Sequence, residues 1–257
     1  MRTPLIAGNW KMHKTLPQAE ELVQGIRDGL DGLGRLKEVE VLICPPFQLL
    51  FAMADAVAGS AIRLGAQNAH FEPQGAFTGE VSVPMLKDAG CTHVIIGHSE
   101  RRQFFGEDGP LLAKKVRAVV TGGLKAVYCV GETLEAREGG RTQAVIGRQL
   151  DEVVKADVPA ERLVIAYEPV WAIGTGKTAT PDQAQEVHAF IRGRLAKAYD
   201  KAAADRIPIL YGGSVKPQNA TALLAGPDID GALVGGACLV AADFVAIISA
   251  ALSTVPH

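Results

Sequence analysis

The sequence predicts an α/β protein, a (β/α)₈ barrel that forms a single domain over residues 1–257. Eight short apolar segments alternate along the chain with segments whose apolar residues recur at helical spacing. The apolar segments are continuous rather than alternating, which is typical of parallel strands buried on both faces of a sheet. The length suits one such barrel, and no linker or low-complexity tract divides the sequence.

The predicted strands are the apolar segments themselves. They are Leu5–Asn9, Val39–Cys44, Ile62–Gln67, His93–Ile96, Lys125–Val130, Leu163–Tyr167, Ile207–Leu210 and Ile229–Val234. The predicted helices are Pro17–Leu33, Phe47–Val57, Val83–Ala89, Leu111–Thr121, Thr133–Val154, Pro181–Tyr199, Pro217–Leu224 and Ala241–Leu252. Each strand is therefore followed by a helix, which is the repeating unit of this barrel.

Signals within the first three units support these bounds. Leu22, Ile26 and Leu30 share one face of the first helix, as the helical period requires. Pro45-Pro46 stops the second strand, because proline cannot donate a hydrogen bond to a sheet. A long polar and glycine-rich loop, residues 68–80, follows the third strand, and loops of that length are usually functional.

The later units carry similar signals. Glu138-Gly139-Gly140 is a weak position near the start of the helix predicted over 133–154. Pro169 stops the sixth strand and biases Glu168 away from helical backbone angles. Thr180 is suited to cap the next helix, with Pro181 at its first position.

A doubly wound open sheet is the competing architecture. Such a sheet normally has fewer strands, and its glycine-rich nucleotide fingerprint should follow the first strand. Here the first strand leads into Gly8-Asn9-Trp10-Lys11, which does not match that fingerprint. The barrel is therefore favoured.

Composition and charge indicate which partners and which compartment to expect. The formal net charge is −2, and no basic stripe or polybasic segment predicts contact with nucleic acid or a membrane. No apolar run reaches membrane-spanning length, and the first residues do not resemble a secretion signal. The cysteines, Cys44, Cys91, Cys129 and Cys238, are too scattered for a zinc site and predict reduced thiols in a cytoplasmic protein.

Polar residues collect where the predicted strands end, which is the rim that carries chemistry in such barrels. The first strand leads to Asn9 and Lys11, the fourth to His98, and the sixth to Glu168. Two glycine pairs, Gly212-Gly213 and Gly235-Gly236, follow the last two strands. Glycines there allow backbone N–H groups to approach an anion closely, so the two pairs together favour a phosphate site.

Each of these residues also has a purely structural explanation when it is taken alone. Glycines make tight turns, Asn9 suits a turn, and Lys11 suits a solvated surface. His98 could be tied to a neighbouring charged side chain, although backbone donors at a helix start would favour a neutral ring that donates a hydrogen bond. Gly174 to Thr178 superficially suggests a nucleotide loop, but Trp171 stands where that motif needs glycine.

Convergence of these groups on one rim predicts a reaction. Glu168 could remove a proton from a carbon next to a carbonyl group. Donors from His98, Asn9 and Lys11 could stabilise the enediolate that results. This chemistry requires no metal and no cofactor.

The sequence resembles the triosephosphate isomerase family along nearly its whole length. The residues that carry the resemblance are Gly8 to Met12, Gly75 to Glu80, Ile96 to Arg102, Ala166 to Gly176, Tyr211 to Ser214 and Val234 to Gly236, in the order of the family. The resemblance implies a TIM-barrel isomerase of glycolysis and gluconeogenesis that interconverts dihydroxyacetone phosphate and D-glyceraldehyde 3-phosphate. It also implies that no cofactor is used.

The resemblance further implies roles for individual residues. Glu168 would be the base, with His98, Lys11 and Asn9 as the other catalytic groups. The substrate-binding residues would be Asn9, Lys11, Gly174, Ser214, Gly235 and Gly236, supported from behind by Ser99 and Glu100.

The resemblance also implies two mobile or interacting loops. The segment from about Pro169 to Thr178 would be a lid that excludes water. The loop around Phe77 and Thr78 would form a homodimer by inserting into a second copy. Two alternatives stay open at this stage: another phosphate-binding barrel enzyme, such as an aldolase, and a non-catalytic barrel scaffold. An aldolase with a Schiff base would need a lysine on a central strand, and the strands offer only Lys125, at the wrong end.

Overall fold

The computed structural model describes residues 2–154, 158–173 and 178–255. Eight parallel strands close into a barrel in sequence order, which confirms the predicted fold class. The strands are β1 (Leu5–Asn9), β2 (Glu40–Cys44), β3 (Ile62–Ala66), β4 (His93–Ile96), β5 (Lys125–Val130), β6 (Leu163–Tyr167), β7 (Ile209–Tyr211) and β8 (Gly231–Val234). β1 pairs with both β2 and β8, and this double pairing closes the sheet.

Helices surround the strands. Those in the described part of the chain are α1 (Leu16–Asp31), α2 (Leu50–Val57), α3 (Val83–Asp88), α4 (Ser99–Phe104), α5 (Gly109–Thr121), α6 (Leu134–Glu138), α7 (Thr142–Val154), α8 (Pro181–Ala198), α9 (Lys201–Ala204), α10 (Pro217–Leu224) and α11 (Ala241–Thr254). None of these helices is long and apolar enough to cross a membrane.

The strands bury both of their faces, which explains why their sequences are continuously apolar. One set of side chains fills the barrel interior: Leu5, Ala7, Leu42, Cys44, Ile95, Val127, Cys129, Val164, Ala166, Leu210 and Leu233. The alternate residues, such as Ile6, Val41 and Ile96, point outward and pack in a second core with the helices. Because successive strand residues face opposite sides, a strand between two cores must be apolar at nearly every position.

Several helical segments differ from the predicted bounds; α2, for example, begins at Leu50 rather than Phe47, and α9 was not predicted. The helix predicted over 133–154 is two helices, α6 and α7, and they separate at the predicted weak position. Gly140 has φ +66°, a left-handed backbone angle that an α-helix cannot contain. The helix α4 was not predicted as an element of its own, because a six-residue polar segment shows no clear apolar period.

The last two strands begin later than predicted. β7 begins at Ile209 rather than Ile207, because Pro208 has no N–H to donate to the sheet. β8 begins at Gly231, where φ is +139° and a side-chain Cβ would lie 2.0 Å from the carbonyl oxygen of Leu5. The backbone at that point permits only glycine.

All four cysteines are free and buried, as the prediction of reduced thiols requires. Burial raises the pKa of both Cys91 and Cys238 to about 12. Thiols with so high a pKa are almost entirely protonated near neutral pH and are poor nucleophiles.

Candidate active site

A cavity of about 810 Å³ opens at the carboxyl ends of the strands. It is lined by the predicted site residues Asn9, Lys11, His98, Glu168, Ser214, Gly235 and Gly236. They come from five different strand ends, and the closed barrel brings all of them to one rim. Gly174, the remaining predicted substrate-binding residue, lies outside the described residues.

Glu168 follows β6 and is almost fully buried, at 2% exposure. Its Oε2 accepts the backbone N–H of Ser99 at 2.9 Å, and its Oε1 lies 2.9 Å from His98 Nε2. Burial alone would raise the pKa of Glu168, but the charge and hydrogen bond of His98, the Ser99 N–H and the charge of Lys11 together lower it. The carboxylate is therefore ionised near neutral pH, as a general base must be.

His98 precedes α4 and is also buried. Its Nδ1 accepts the backbone N–H of Glu100 at 3.2 Å, so the proton of the neutral ring lies on Nε2 and points to Glu168. Burial lowers the pKa of His98, but the charge and hydrogen bond of Glu168 and the charge of Glu100 raise it above its ordinary value. A helix start alone would have lowered the pKa, so the adjacent carboxylate outweighs the helix terminus.

Lys11 is held in an unusual backbone conformation, with φ +54°. The side chain of Asn9 accepts its N–H at 3.1 Å, and its Nζ lies 2.5 Å from Glu100 Oε1. The amide of Gln67 donates to the carbonyl oxygen of Lys11 at 2.8 Å and to that of Cys44 at 2.9 Å. A left-handed backbone at a non-glycine residue costs about 1 kcal/mol or more. The contacts with Asn9, Gln67 and Glu100 offset this strain and hold Lys11 at the cavity.

Gln67 was not among the predicted site residues. It directly follows β3 and is thus a polar residue at a strand end, the same signal that identified Asn9 and His98. Applying that rule to every strand would have found it.

The two glycine pairs at the rim have different structural settings. A Cβ on Gly236 would meet no atom within 4 Å, and one on Gly235 would meet Lys11 Cε at 3.7 Å. A Cβ on Gly212 would instead lie 3.0 Å from Glu168 Cγ, and one on Gly213 only 2.3 Å from the hydroxyl oxygen of Tyr211. The pair after β8 therefore leaves open space for an anion, whereas the pair after β7 is required by close packing against the base and its strand.

Comparison with known proteins identifies the family. The sequence model of the family described as triosephosphate isomerase matches residues 4–251. The chain belongs to the triosephosphate isomerase family. It is 54% identical over 254 residues to the triosephosphate isomerase of Carboxydothermus hydrogenoformans, covering 98% of this chain and 100% of that protein. It is 55% identical over 251 residues to that of Moorella thermoacetica, covering 97% and 99%, and 53% identical over 250 residues to that of Roseiflexus sp. strain RS-1, covering 96% and 97%.

The triosephosphate isomerase family was the one that the motifs indicated, and the predicted enzyme class, an isomerase of triose phosphates, agrees with the names of these relatives. Among the described residues, no group of three or more histidine, cysteine, aspartate or glutamate side chains could hold a metal ion.

The first residues of the predicted lid are described and are tied to β5. Val170–Ala172 forms a short 3₁₀ turn, and the indole N–H of Trp171 donates to Glu132 Oε1 at 3.0 Å. The hydroxyl of Tyr167 donates to the same oxygen at 3.1 Å. Glu132 is fully buried just past the end of β5, and sequence reasoning missed it although it too is a polar residue at a strand end. The predicted lid residues 174–177 lie outside the described part of the chain.

Proposed function

We propose that this protein interconverts dihydroxyacetone phosphate and D-glyceraldehyde 3-phosphate by proton transfer through an enediolate. The observation that carries the proposal is the direct contact between Glu168 and His98, 2.9 Å apart, at the wall of a cavity that Lys11 also lines. A base, a hydrogen-bond donor and a cation thus face the space in which a small phosphorylated substrate would bind.

Glu168 acts as the base. Its carboxylate takes a proton from the carbon next to the carbonyl group and returns it to the neighbouring carbon. In the structure, Glu168 Oε2 is bound to the N–H of Ser99, so the side chain must leave that donor to reach the substrate. Since the N–H of Ser99 and the charge of His98 both lower the pKa of Glu168, leaving them makes the carboxylate more basic when it meets the carbon acid.

Negative charge that develops on the substrate oxygens is stabilised by fixed donors. His98 donates through Nε2, which is the protonated nitrogen because Nδ1 accepts from Glu100. The ammonium group of Lys11 and the amide of Asn9 line the same cavity. Donors that are already in place need no reorganisation during the reaction, and each such donor can contribute about 3 kcal/mol to lowering the barrier.

The phosphate group binds after β8, next to Lys11. Gly235 and Gly236 line the cavity without side chains that would fill it, so their backbone N–H groups are the proposed phosphate donors, and Ser214 lines the same cavity. Gly174 on the lid is proposed to complete the phosphate site, and closure of the lid over the substrate would exclude water from the enediolate. Loop closure of this kind is well described for this enzyme family.

We also propose that the protein functions as a homodimer. Phe77, in the long loop after β3, is exposed, as are Met12 after β1 and Phe105 after α4. These loops follow β1, β3 and β4, which lie close together around the barrel, so their apolar side chains share one part of the rim. Exposed apolar groups of this kind favour a protein partner, and a second copy of the chain is the proposed one.

Charged substitutions test the dimer. Phe77→Glu together with Thr78→Arg should yield monomers in sedimentation, with lower activity because Lys11 and its loop lose support. Phe51→Glu, an exposed phenylalanine on α2, is the control and should leave the dimer intact. An unchanged dimer in the double variant would show that this loop is not the interface.

The cytoplasm is the proposed location. Free, buried thiols at all four cysteines support it, because reduced cysteines are typical of that compartment.

A coupled assay tests the activity. The purified protein should convert glyceraldehyde 3-phosphate to dihydroxyacetone phosphate in the presence of a metal chelator and without nucleotide. No turnover under these conditions would refute the proposal. Borohydride trapping of a substrate adduct would instead indicate an aldolase, the phosphate-binding barrel enzyme that the sequence left as an alternative.

A further inference from the structure

Gly131, the residue after β5, is packed directly on the backbone of the catalytic base. A Cβ on Gly131 would lie 1.8 Å from the carbonyl oxygen of Glu168 and 3.3 Å from its Cα. The N–H of Glu168 also donates to the carbonyl oxygen of Val130 at 2.7 Å. The residues at the end of β5 therefore fix the position of the Glu168 backbone. A displacement of Gly131 toward Glu168 must displace Glu168 as well.

One side chain holds both polar backbone groups of Gly131. Gln149 Oε1 accepts the N–H of Gly131 at 2.8 Å, and Gln149 Nε2 donates to its carbonyl oxygen at 3.1 Å. The amide thus acts as a two-point clamp, which fixes orientation as well as distance. Gln149 is a buried polar residue on α7, so the clamp joins the helix layer to the rim of the barrel.

The backbone of Gln149 is itself firmly anchored. Its carbonyl oxygen lies 2.8 Å from the hydroxyl of Tyr128, whose one proton is shared between that oxygen and Glu152 Oε2, also at 2.8 Å, and which receives a hydrogen bond from Arg102 at 3.0 Å. Arg102 donates in addition to the carbonyl oxygens of Gly97 at 2.9 Å and Cys129 at 3.1 Å. The clamp is therefore built on a network that spans the ends of β4 and β5 rather than on a loosely held helix.

The side chain of Glu168 needs such support because a second cavity adjoins it. This cavity, of about 540 Å³, is lined by Ser99, Cys129, Gly131, Gln149 and Glu168, among others. Of its described lining residues, only Glu168 also lines the substrate cavity. A side chain that borders two open spaces is not fixed by packing alone, so its position depends on its hydrogen bonds to Ser99 and His98 and on where its backbone lies.

We propose that Gln149 is a positioning residue for the reaction: by clamping Gly131 against the backbone of Glu168, it sets where the base stands relative to the substrate carbon. The inference rests on the proposed isomerase function and extends it to a residue on the helix layer. Gln149 itself does not line the described substrate cavity and acts only through Gly131.

Gln149→Met tests the clamp, because methionine has nearly the same length and favours helices but cannot hydrogen-bond to both groups of Gly131. The kcat should fall roughly ten- to hundredfold, since a displacement of about 1 Å at a catalytic group can cost that much. The KM and the inhibition constant of inorganic phosphate should stay within about twofold, because the phosphate site lies after β8. Gln143→Met, at an exposed glutamine on the same helix, is the matched control and should change none of these three constants.

Gly131→Ala provides a second test through the same contact. Its added Cβ must displace Glu168, so kcat should fall again with little change in KM. Combined with Gln149→Met it should cost less than the two separate effects multiplied, because both changes move the same backbone. If Gly131→Ala fails to fold, Gln149→Met still decides the question.

Two results would overturn the inference. One is a kcat of Gln149→Met within twofold of the parent, which would show that the clamp does not position the base. The other is a parallel loss of kcat, phosphate binding and thermal stability, which would show that Gln149 only stabilises the barrel. An inactive parent protein would instead refute the proposed function itself, so the two failures are distinguishable.

Discussion

The two ends of the barrel both bury ionisable groups but use them differently, and β4 shows the contrast within one strand. His93 begins β4 at the amino end of the barrel, and His98 follows its carboxyl end. Burial, with help from the charges of Lys125 and Arg63, lowers the pKa of His93 to about 3. At the other end the adjacent Glu168 raises the pKa of His98, although burial opposes it.

At the amino end, protein partners saturate the buried charges of Arg192 and Asp230. Arg192 donates to the carbonyl oxygens of Ala204 at 2.6 Å and Ile207 at 2.5 Å, and it pairs with Asp230. Asp230 in turn accepts the N–H of Ile209 at 2.9 Å. At the carboxyl end, Lys11, His98 and Glu168 line an open cavity of about 810 Å³ instead. The comparison indicates that the amino end serves stability, whereas the carboxyl end keeps charged groups available to a substrate.

The largest expected effect comes from removing the base. Glu168→Gln should lower kcat about 10²- to 10⁴-fold, the usual contribution of a general base. Its unfolding free energy at neutral pH should fall as well, because the lowered pKa of Glu168 means that folding favours the ionised carboxylate with its His98 and Ser99 partners. Steady-state kinetics and urea unfolding measure both, with the exposed Glu186→Gln on α8 as the control. If the Glu168→Gln variant kept full activity, the carboxylate at the carboxyl end would not serve catalysis, and the contrast with the amino end would be wrong.

A comparable effect on stability is expected at the amino end. Arg192→Met should reduce the unfolding free energy by about 3 kcal/mol, because it removes the donor to the carbonyl oxygens of Ala204 and Ile207 and leaves Asp230 paired only with the partly exposed Arg2. The kcat of the folded protein should not change. Arg194→Met, two residues along the same helix, breaks only a half-exposed pair with Asp151 and should cost at most about 1 kcal/mol. Equal costs for the two variants would show that burial does not decide the value of these pairs.

The two histidines on β4 should give opposite pH dependences of stability. The folded state of His93 binds no proton until pH is near 3, whereas the unfolded state binds one below about 6.5, so stability falls as pH drops through this window. The slope should be about 1.4 kcal/mol per pH unit. For His98 the folded pKa is raised, so its contribution is present below about 6.5 and is lost as pH rises through the folded pKa.

Urea unfolding at fixed protein concentration from pH 4.5 to 8 measures these slopes. Compared with the parent, His93→Gln should show a smaller change of unfolding free energy with pH below 6.5. His98→Gln should show a smaller change above pH 6.5. If the unfolding free energies of the parent and of His93→Gln changed equally with pH below 6.5, His93 would not be held neutral in the folded state.

The smallest effect is expected at the ion pair on the active rim. Lys11 and Glu100 are both partly exposed, so Glu100→Gln should change the unfolding free energy by less than about 1 kcal/mol. The KM should nevertheless rise a fewfold, because Lys11 loses the carboxylate that orients it. A loss of unfolding free energy above about 2 kcal/mol would show that the Lys11–Glu100 pair stabilises the fold, as the Arg192–Asp230 pair does.

The sequence by itself determined the barrel and most of its rim. Continuous apolar strands indicated a sheet buried on both faces, and chain order then assigned Asn9, His98 and Glu168 to one rim. Local signals set many element ends correctly, since proline and glycine act through their own backbone limits.

Only the tertiary structure determined which residues that are distant in sequence contact each other. Ser99 and Glu168 are 69 residues apart in sequence, so no local pattern could show that the one binds the other. The same holds for the raised pKa of His98, which depends on a carboxylate from another strand. The clamp of Gln149 on Gly131 and the packing need for Gly212 are likewise invisible in the sequence. Distances between distant segments arise only when the barrel closes, and those distances govern charge, packing and catalysis.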